Sequence, residues 1–549
     1  MVAVAERPLH VRWLGRVAYQ DAWALQRGLF SRSSDNHLLL LEHPHVFTLG
    51  PNGDESNLLG EPGVPVLRVD RGGDITYHGP GQVVGYPILS LVSRRKSEQA
   101  DAREVAAGGM INTAAYVHSV EQLLIDVLEE LGMTDVGRLE RYRGVWVRPD
   151  SPQPAKVAAV GVRLSRGRTM HGFALNVSTD LSWFKKIVPC GIKDFTITSL
   201  EAEGLDVTVS EVAECVAERA GQLWGAAGWD MAASGADSRS PNIKNPTNGA
   251  RETAASLSIR ERKPSWLRAQ LADSLRDSTA DGEGYWRIKE VMSSLSLTTV
   301  CEEAGCPNIS ECWNAGTATF MINGDRCTRA CGFCLVDTRK PLAADPDEPA
   351  RLAHAVRKMG LAYAVITAVA RDDLPDGGAE QFVLCMRELR RTCPDVAVEV
   401  LIPDFKGNPE ALAVVFDEQP EVLNHNLETV LRLQRMVRPQ ASYARSLAVL
   451  AQAKDAGLTT KSSVMVGLGE TKDEVLEALA DLAAVDTDIV TLGQYLRPSV
   501  KHLPVMRWWH PDEFTELAKA GEEMGITHVE AGPLVRSSYH ASQLHRPRA

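Results

Sequence analysis

Three cysteines fall within Cys327-Thr328-Arg329-Ala330-Cys331-Gly332-Phe333-Cys334, a CxxxCxxC spacing on one short segment. Thiolates that close together can bind three corners of a [4Fe–4S] cluster, leaving the fourth iron without a protein ligand and open to chemistry. A zinc knuckle is the plainer alternative, but zinc wants a fourth Cys or His at comparable spacing. Upstream, Cys301, Cys306 and Cys312 form a second triad, CxxxxCxxxxxC, which also leaves a cubane one ligand short. Six of the ten cysteines thus crowd between Cys301 and Cys334, and in a reducing cytosol such clustering reads as metal sites, not disulfides. Cys385 and Cys393 fall on a helical stretch and its end, where inert buried thiols are expected.

The first half offers a different chemistry. Cys190 stands in Val188-Pro189-Cys190-Gly191-Ile192, where a rigid Pro and a Gly would present the thiol on a tight turn. A thiol of ordinary pKa near 8.5 is mostly protonated at neutral pH, so a nucleophile there needs a cation or a base beside it. Lys156, at the start of the apolar run Val157-Ala158-Ala159-Val160-Gly161-Val162, is a candidate for either role. The run Arg71-Gly72-Gly73-Asp74-Ile75-Thr76-Tyr77-His78 combines glycines that permit close backbone approach with the polar edges of Arg71, Tyr77 and His78. A hairpin turn and a core histidine would explain the same residues.

These groups must be positioned by more than one folding unit. At 549 residues the chain is long enough for two to four domains of roughly 150 residues. With 44% hydrophobic and 24% charged residues it has a globular composition. The net charge of −12 argues against a protein that coats nucleic acid. The longest apolar run, 361–370, is about half of the roughly 20 residues needed to cross a bilayer, and no secretory leader opens the chain, so a cytoplasmic protein without a membrane span is expected.

The stretch 231–262, rich in Ser, Ala, Asn, Gly and Pro, reads as a flexible linker between units at 1–230 and 263–549. A linker of that length has a span of roughly 30 Å. In the first unit, helices are expected at 18–31, 117–131 and 209–227, with strands at 38–41, 64–69, 83–89, 145–147, 157–164 and 172–177. That irregular order suggests an α+β mixed sheet, with 93–110 as a surface insertion. The second unit alternates strands at 319–322, 364–369, 396–401, 422–425, 462–466 and 489–494 with helices, which implies parallel strands and a complete or partial (β/α) barrel whose chemistry sits at the C-terminal strand ends. The overall class is α/β joined to α+β.

The CxxxCxxC loop after the first barrel strand resembles the radical S-adenosylmethionine superfamily. The whole block 301–334 (CEEAGCPNISECWNAGTATFMINGDRCTRACGFC) resembles lipoyl synthase, extended by RDDLPDGG at 371–378, NHNLET at 424–429 and RSSYH at 536–540. The resemblance implies two [4Fe–4S] clusters and S-adenosyl-L-methionine as cofactors. One cluster, on Cys327, Cys331 and Cys334, cleaves the cofactor to a 5′-deoxyadenosyl radical; the auxiliary one, on Cys301, Cys306, Cys312 and Ser538, is consumed as the sulfur source for C6 and C8 of a protein-bound octanoyl chain. Ser310, Ala370 and Arg497 depart from the usual pattern without removing a cluster ligand. The turn at 467–471 (GLGET) lacks the lysine of a phosphate loop and is expected to touch the adenosyl cofactor through its backbone. Another sulfur-inserting radical enzyme, or a non-catalytic iron–sulfur sensor or assembly protein, would share the first motif.

The front half resembles the lipoate-assembly octanoyltransferases through the 71–82 motif, Lys156–Gly161, HGFALN at 171–176 and VPCGI at 188–192, over roughly residues 8–230. The family fold is that of biotin and lipoate ligases, although no glycine-lysine nucleotide loop marks a ligase here. The resemblance implies ping-pong acyl transfer through a Cys190 thioester activated by Lys156. It places Arg71, Gly72, Gly73, Asp74, Ile75, Thr76, Tyr77, His78, Ala159, Val160, Gly161, Gly172, Phe173 and Ala174 along the acyl tunnel. Implied partners are octanoyl-acyl carrier protein, lipoyl-carrier domains of 2-oxoacid dehydrogenase complexes and the glycine cleavage H protein, an electron donor and an iron–sulfur carrier protein. Eight basic residues around these segments (Arg141, Arg143, Arg148, Arg163, Arg166, Arg168, Lys185 and Lys186) are either solvated surface or a docking patch for an acidic carrier.

Overall fold

A computed structural model describes residues 3–92, 112–188, 196–233, 263–271 and 317–539, with runs of one to three residues between 290 and 312. The insertion at 93–110, Cys190, Cys301, Cys306 and the expected linker from 234 onward lie outside the described residues. The chain divides into two compact units, Met1–Ala236 and Asp237–Ala549.

In the first unit a mixed sheet runs in the order Trp229–Ala233, Leu9–Arg16, Asn36–Glu42, Gln82–Ile88, Arg168–Asn176, Ala155–Ser165, Tyr142–Val147, Val136–Leu139. The first three strands are mutually parallel and the rest pair antiparallel. The helices Thr113–Glu130 and Val209–Trp224 pack their apolar stripes on it, with Tyr116, Val120, Leu124, Val212 and Val216 meeting Val11, Leu38, Leu40 and Val83 in one core. Thr208 and Glu211 form a reciprocal capping box that starts the second of these helices, which ends at Trp224 before Gly225, three residues short of the expected stop at 227. Residues 231–233, expected in the linker, instead belong to the edge strand Trp229–Ala233, paired in parallel with Leu9–Arg16. A small sheet, Val66–Arg68, Val46–Leu49 and Ile75–His78, stands apart from the main one.

In the second unit seven strands lie side by side in chain order: Thr317–Ile322, Tyr363–Ala368, Ala397–Leu401, Val422–Asn424, Thr460–Val466, Ile489–Gln494 and His528–Gly532. All pair in parallel, and a short antiparallel strand, Thr298–Thr299, flanks the first. Sequential parallel order with helices between the strands gives a partial (β/α) barrel, and the seventh strand extends the six expected. Towards the N-terminal strand ends lies a closed polar network. Lys461 and Glu399, each 1% exposed, pair at 3.2 Å; Tyr363 Oη donates to Glu399 at 3.1 Å and Asn424 Nδ2 donates at 2.8 Å.

Candidate active sites

Ala155–Ser165 and Arg168–Asn176 pair with Gly161 opposite Gly172 and Ala159 opposite Ala174. The 71–73 turn crosses over them: Gly72 N–H donates to Val162 O at 3.1 Å, and a Cβ on Gly161 would stand 2.9 Å from the Gly72 carbonyl oxygen. The glycine serves close approach of backbone to backbone, which forms one wall of a cavity of about 340 Å³. That volume falls at the small end of ligand pockets, about 300–1,000 Å³. Lys156 lines it with Arg71, Gly72, Gly73, Thr76, His78, Ala159, Val160, Gly161, Gly172, Phe173 and Ala174.

Asp74, Ile75 and Tyr77 are not on the cavity wall. Side chains alternate along Ile75–His78, so Thr76 and His78 face the cavity while Ile75 and Tyr77 enter a separate core with Phe47 and Ile187. Asp74 instead fixes the turn, accepting from Asp54 N–H at 3.0 Å and Asn57 Nδ2 at 2.5 Å.

Lys156 is buried, and its Nζ stands 5.2 Å from the centre of the Trp146 ring, which lies opposite it on the next strand. Thr196–Ile197 pairs in parallel with Ala155 and Lys156, so the chain is beside Lys156 seven positions after Cys190, at Ile197. His78 donates from Nδ1 to Gln82 Oε1 at 2.9 Å. Burial, then the charges of His43 and Arg71, push its pKa well below 6.5 and keep the ring neutral.

Sequence reading left six lining residues without a role: Tyr19, Tyr86, Val117, Tyr142, Val162 and His171. Only proximity to the quoted motifs could have signalled them. His171 donates from Nε2 to Asp70 Oδ1 at 2.8 Å, and Asp70 also takes the Trp23 indole N–H at 3.0 Å and the Arg163 guanidinium. The His171 hydrogen bond, acting against burial and joined by the charges of His171 and Arg163, lowers the Asp70 carboxyl to about 2.

In the second unit the cysteine loop follows Thr317–Ile322. Cys327 Sγ accepts from the backbone N–H of Arg329 at 3.4 Å and of Ala370 at 3.3 Å. Arg329, buried between two of the cysteines, donates twice to Asp372 at 2.8 Å and to Asp404 at 2.6 Å, and Arg445 reaches the other Asp404 oxygen at 3.5 Å. Burial opposes the Asp404 charge, but Arg329 and Arg445 hold its carboxyl far below the usual carboxylate range. Gly378 has φ +87°, and a Cβ there would be 2.5 Å from Asn323 Nδ2, which donates to its carbonyl at 3.1 Å, so only glycine fits. The 371–378 motif thereby braces the start of the cysteine loop.

His425 donates from Nδ1 to Ile402 O at 2.9 Å, and burial, then Arg438, lowers its pKa to about 4. In the 467–471 turn the first two amides, of Gly467 and Leu468, donate to Glu470, which also accepts from Trp509 Nε1 at 2.9 Å. Two of the turn's carbonyls are also engaged, Gly467 O by the Met506 N–H at 2.8 Å and Gly469 O by Arg432 at 2.9 Å.

Cys312 and Ser538 line one small cavity together with Arg536 and Tyr539. Asn308 Nδ2 donates to Leu534 O at 2.6 Å and ties the upstream cysteine segment to the C-terminal one. Cys385 and Cys393 are buried. The donor sets fit the groups that the motifs imply: three thiols on one loop with two amides on a sulfur, and a thiol and a hydroxyl sharing a cavity. Among the described residues no three His, Cys, Asp or Glu side chains converge as ligands of one ion would; cubane thiolates bind separate irons.

Residues 18–220 match the lipoyl protein ligase A/B catalytic domain, and residues 321–482 match the radical SAM superfamily. A lipoyl synthase of Rubrobacter xylanophilus is 56% identical over 52% of this chain and 87% of its own length. A lipoyl synthase of Mycobacterium avium is 53% identical over 53% of this chain and 92% of its own. A bi-partite lipoate protein ligase structure from Thermoplasma acidophilum is 14% identical, covering 42% of this chain and 87% of its own, with a TM-score of 0.31.

Proposed function

The chain belongs to the lipoyl synthase family and carries a lipoyl protein ligase A/B catalytic domain ahead of that region, and on that premise we propose that one polypeptide performs two consecutive steps of protein lipoylation. In the first, the Cys190 thiolate takes octanoyl from the thioester of acyl carrier protein and releases the carrier thiol. A lysine amine of a lipoyl-carrier domain then takes the acyl group from Cys190 as an amide, and the cysteine thiol is restored. Lys156 accepts and returns the proton, and its place in a buried wall beside Trp146 supports that role. His78 stays neutral and orders the pocket through Gln82. The observation that carries this half is the cavity of about 340 Å³ onto which Lys156 and the three glycine-bearing segments converge.

In the second half, when bound, the cluster of Cys327, Cys331 and Cys334 with S-adenosylmethionine supplies a 5′-deoxyadenosyl radical, and that of Cys301, Cys306, Cys312 and Ser538 supplies sulfide for C6 and C8. The protein's own contribution is placement. Arg329, clamped by Asp372 and Asp404, fixes the cysteine loop against the neighbouring strand ends. Glu470 holds the turn after Thr460–Val466. Ser538, as a hydroxyl ligand, binds iron more weakly than a thiolate and is suited to release. The shared cavity of Cys312 and Ser538 supports this assignment.

The partners are octanoyl-acyl carrier protein, lipoyl-carrier domains, an electron donor and an iron–sulfur carrier, all met in the cytoplasm. No helix among the described residues is long and apolar enough to cross a membrane. Intact-mass measurement after incubation with octanoyl-carrier protein tests the first step: one octanoyl group is expected on the wild type and none on Cys190→Ser. Anaerobic reaction with dithionite, S-adenosylmethionine and an octanoylated carrier peptide tests the second. Cofactor cleavage without dithiolane would overturn the synthase reading. Iron content should fall by half in a Cys301/Cys306/Cys312 triple alanine variant, and an unchanged content would refute a second cluster.

A further inference from the structure

The eight basic residues around the front-half cavity divide on inspection of their partners. Arg148 pairs with Glu203 at 2.5 Å, Arg163 with Asp70, and Arg168 donates to the backbone carbonyls of Ser33 and Asp35. Arg166, Lys185 and Lys186 do not line the cavity. Arg141 and Arg143 do line it, are exposed, and have no carboxylate within ion-pair distance among the described residues. Arg141 lies over the Tyr142 ring at 5.4 Å and Arg143 donates to His118 Nε2 at 3.2 Å. Two cations thus stand on the wall of a mostly apolar pocket with their charge uncompensated.

Their distance from the reactive end is set by the sheet. Trp146 lies opposite Lys156, and Arg143 and Arg141 precede it by three and five residues on the same segment. At about 3.3 Å per residue they stand at most roughly 10 and 17 Å along the strand from Lys156. A carrier's phosphopantetheine arm has thirteen bonds between thioester sulfur and phosphorus, which at the extended-chain rise of about 3.3–3.6 Å per three backbone bonds spans about 15 Å.

Resting on the acyl-transfer reading above, we infer that Arg141 and Arg143 clasp the phosphodiester of the carrier's prosthetic arm while its thioester lies beside Lys156. The clasp makes a bare acyl thioester a poorer donor than one bearing the phosphate, because charge-assisted bonds from guanidinium to phosphate oxygens hold the arm in register.

The test uses the full chain and three octanoyl donors: octanoyl-pantetheine, octanoyl-4′-phosphopantetheine and octanoyl-carrier protein. In Arg141→Gln/Arg143→Gln, KM should rise about tenfold for both phosphate-bearing donors and stay unchanged for octanoyl-pantetheine, with kcat and the thermal midpoint preserved. Arg→Lys replacements should recover only part of the loss. A rise confined to octanoyl-carrier protein would overturn the inference in favour of contacts to the carrier's protein surface. Equal rises for all three donors, or none, would also overturn it. Failure of the wild type to accept octanoyl from any donor would instead refute acyl transfer itself.

Discussion

The Lys461–Glu399 pair yields a quantitative prediction about the barrel. Both side chains are 1% exposed, yet their surroundings are unequal. Glu399 keeps two neutral donors, Tyr363 and Asn424, if the lysine is removed. Lys461 has no other acceptor among the described residues. Lys461→Met should therefore cost about 1–3 kcal/mol, the range for one lost partner of a still-bonded polar group. Glu399→Leu strands a buried ammonium and should cost about 3–5 kcal/mol. The double variant should be more stable than Glu399→Leu alone, with a coupling of at least about 1.5 kcal/mol. Hydrogen exchange read on peptides from Ala397–Leu401 and Thr460–Val466 resolves this from the front unit. At 1.4 kcal/mol per tenfold, Glu399→Leu should speed exchange by about two to three and a half powers of ten. Equal costs for the two single variants, or additive ones in the double, would refute the reasoning.

Other outcomes follow from the two sites. Burial opposes the charge of His10, but hydrogen bonds to Asp230 and Asp35 and the Asp230 charge outweigh it and raise its pKa to about 9. The protonated ring thus adds stability fully present below 6.5 and lost as pH rises through about 9; a pH series of urea midpoints should show that decline and His10→Asn should flatten it. Asp404→Ala removes the anion shared by Arg329 and Arg445, but Arg329 keeps both bonds to Asp372, so barrel stability should fall by about 1–3 kcal/mol, with reduced iron content after anaerobic reconstitution. Gly161→Val would drive a side chain against the Gly72 carbonyl, so intact-mass assays should show loss of Cys190 acylation while far-ultraviolet dichroism is retained. Raising salt should raise KM for octanoyl-carrier protein several-fold more than for octanoyl-pantetheine in the wild type, and equal effects would argue against electrostatic docking.

Much of the barrel was legible because strictly alternating apolar strands and amphipathic helices carry strong local signals; Ile489–Gln494 begins and ends where the pattern places it. His528–Gly532 was not, since two of its five residues are charged or ionisable and one is Gly. The front sheet was read less completely. Trp229–Ala233 offers five residues next to a polar tract, and its strand character comes from pairing with Leu9–Arg16, more than 200 positions away. Ile75–His78 reads as a ligand loop in sequence, but its alternation sends only Thr76 and His78 to the cavity. Arg141 and Arg143 carry no motif, and only the sheet register brings them to the pocket wall.

The parallel pairing of Trp229–Ala233 with Leu9–Arg16 also sets an order on synthesis. One side of Leu9–Arg16 stays unpaired until Ala233 has cleared the ribosome, and roughly 300 residues separate that point from the last barrel strand, His528–Gly532. At about 5–20 residues per second, roughly 15–60 s separate completion of that sheet from release of the last barrel strand. The ligase-like front unit can thus be native on the nascent chain well before the radical SAM unit has a fold to receive its cluster.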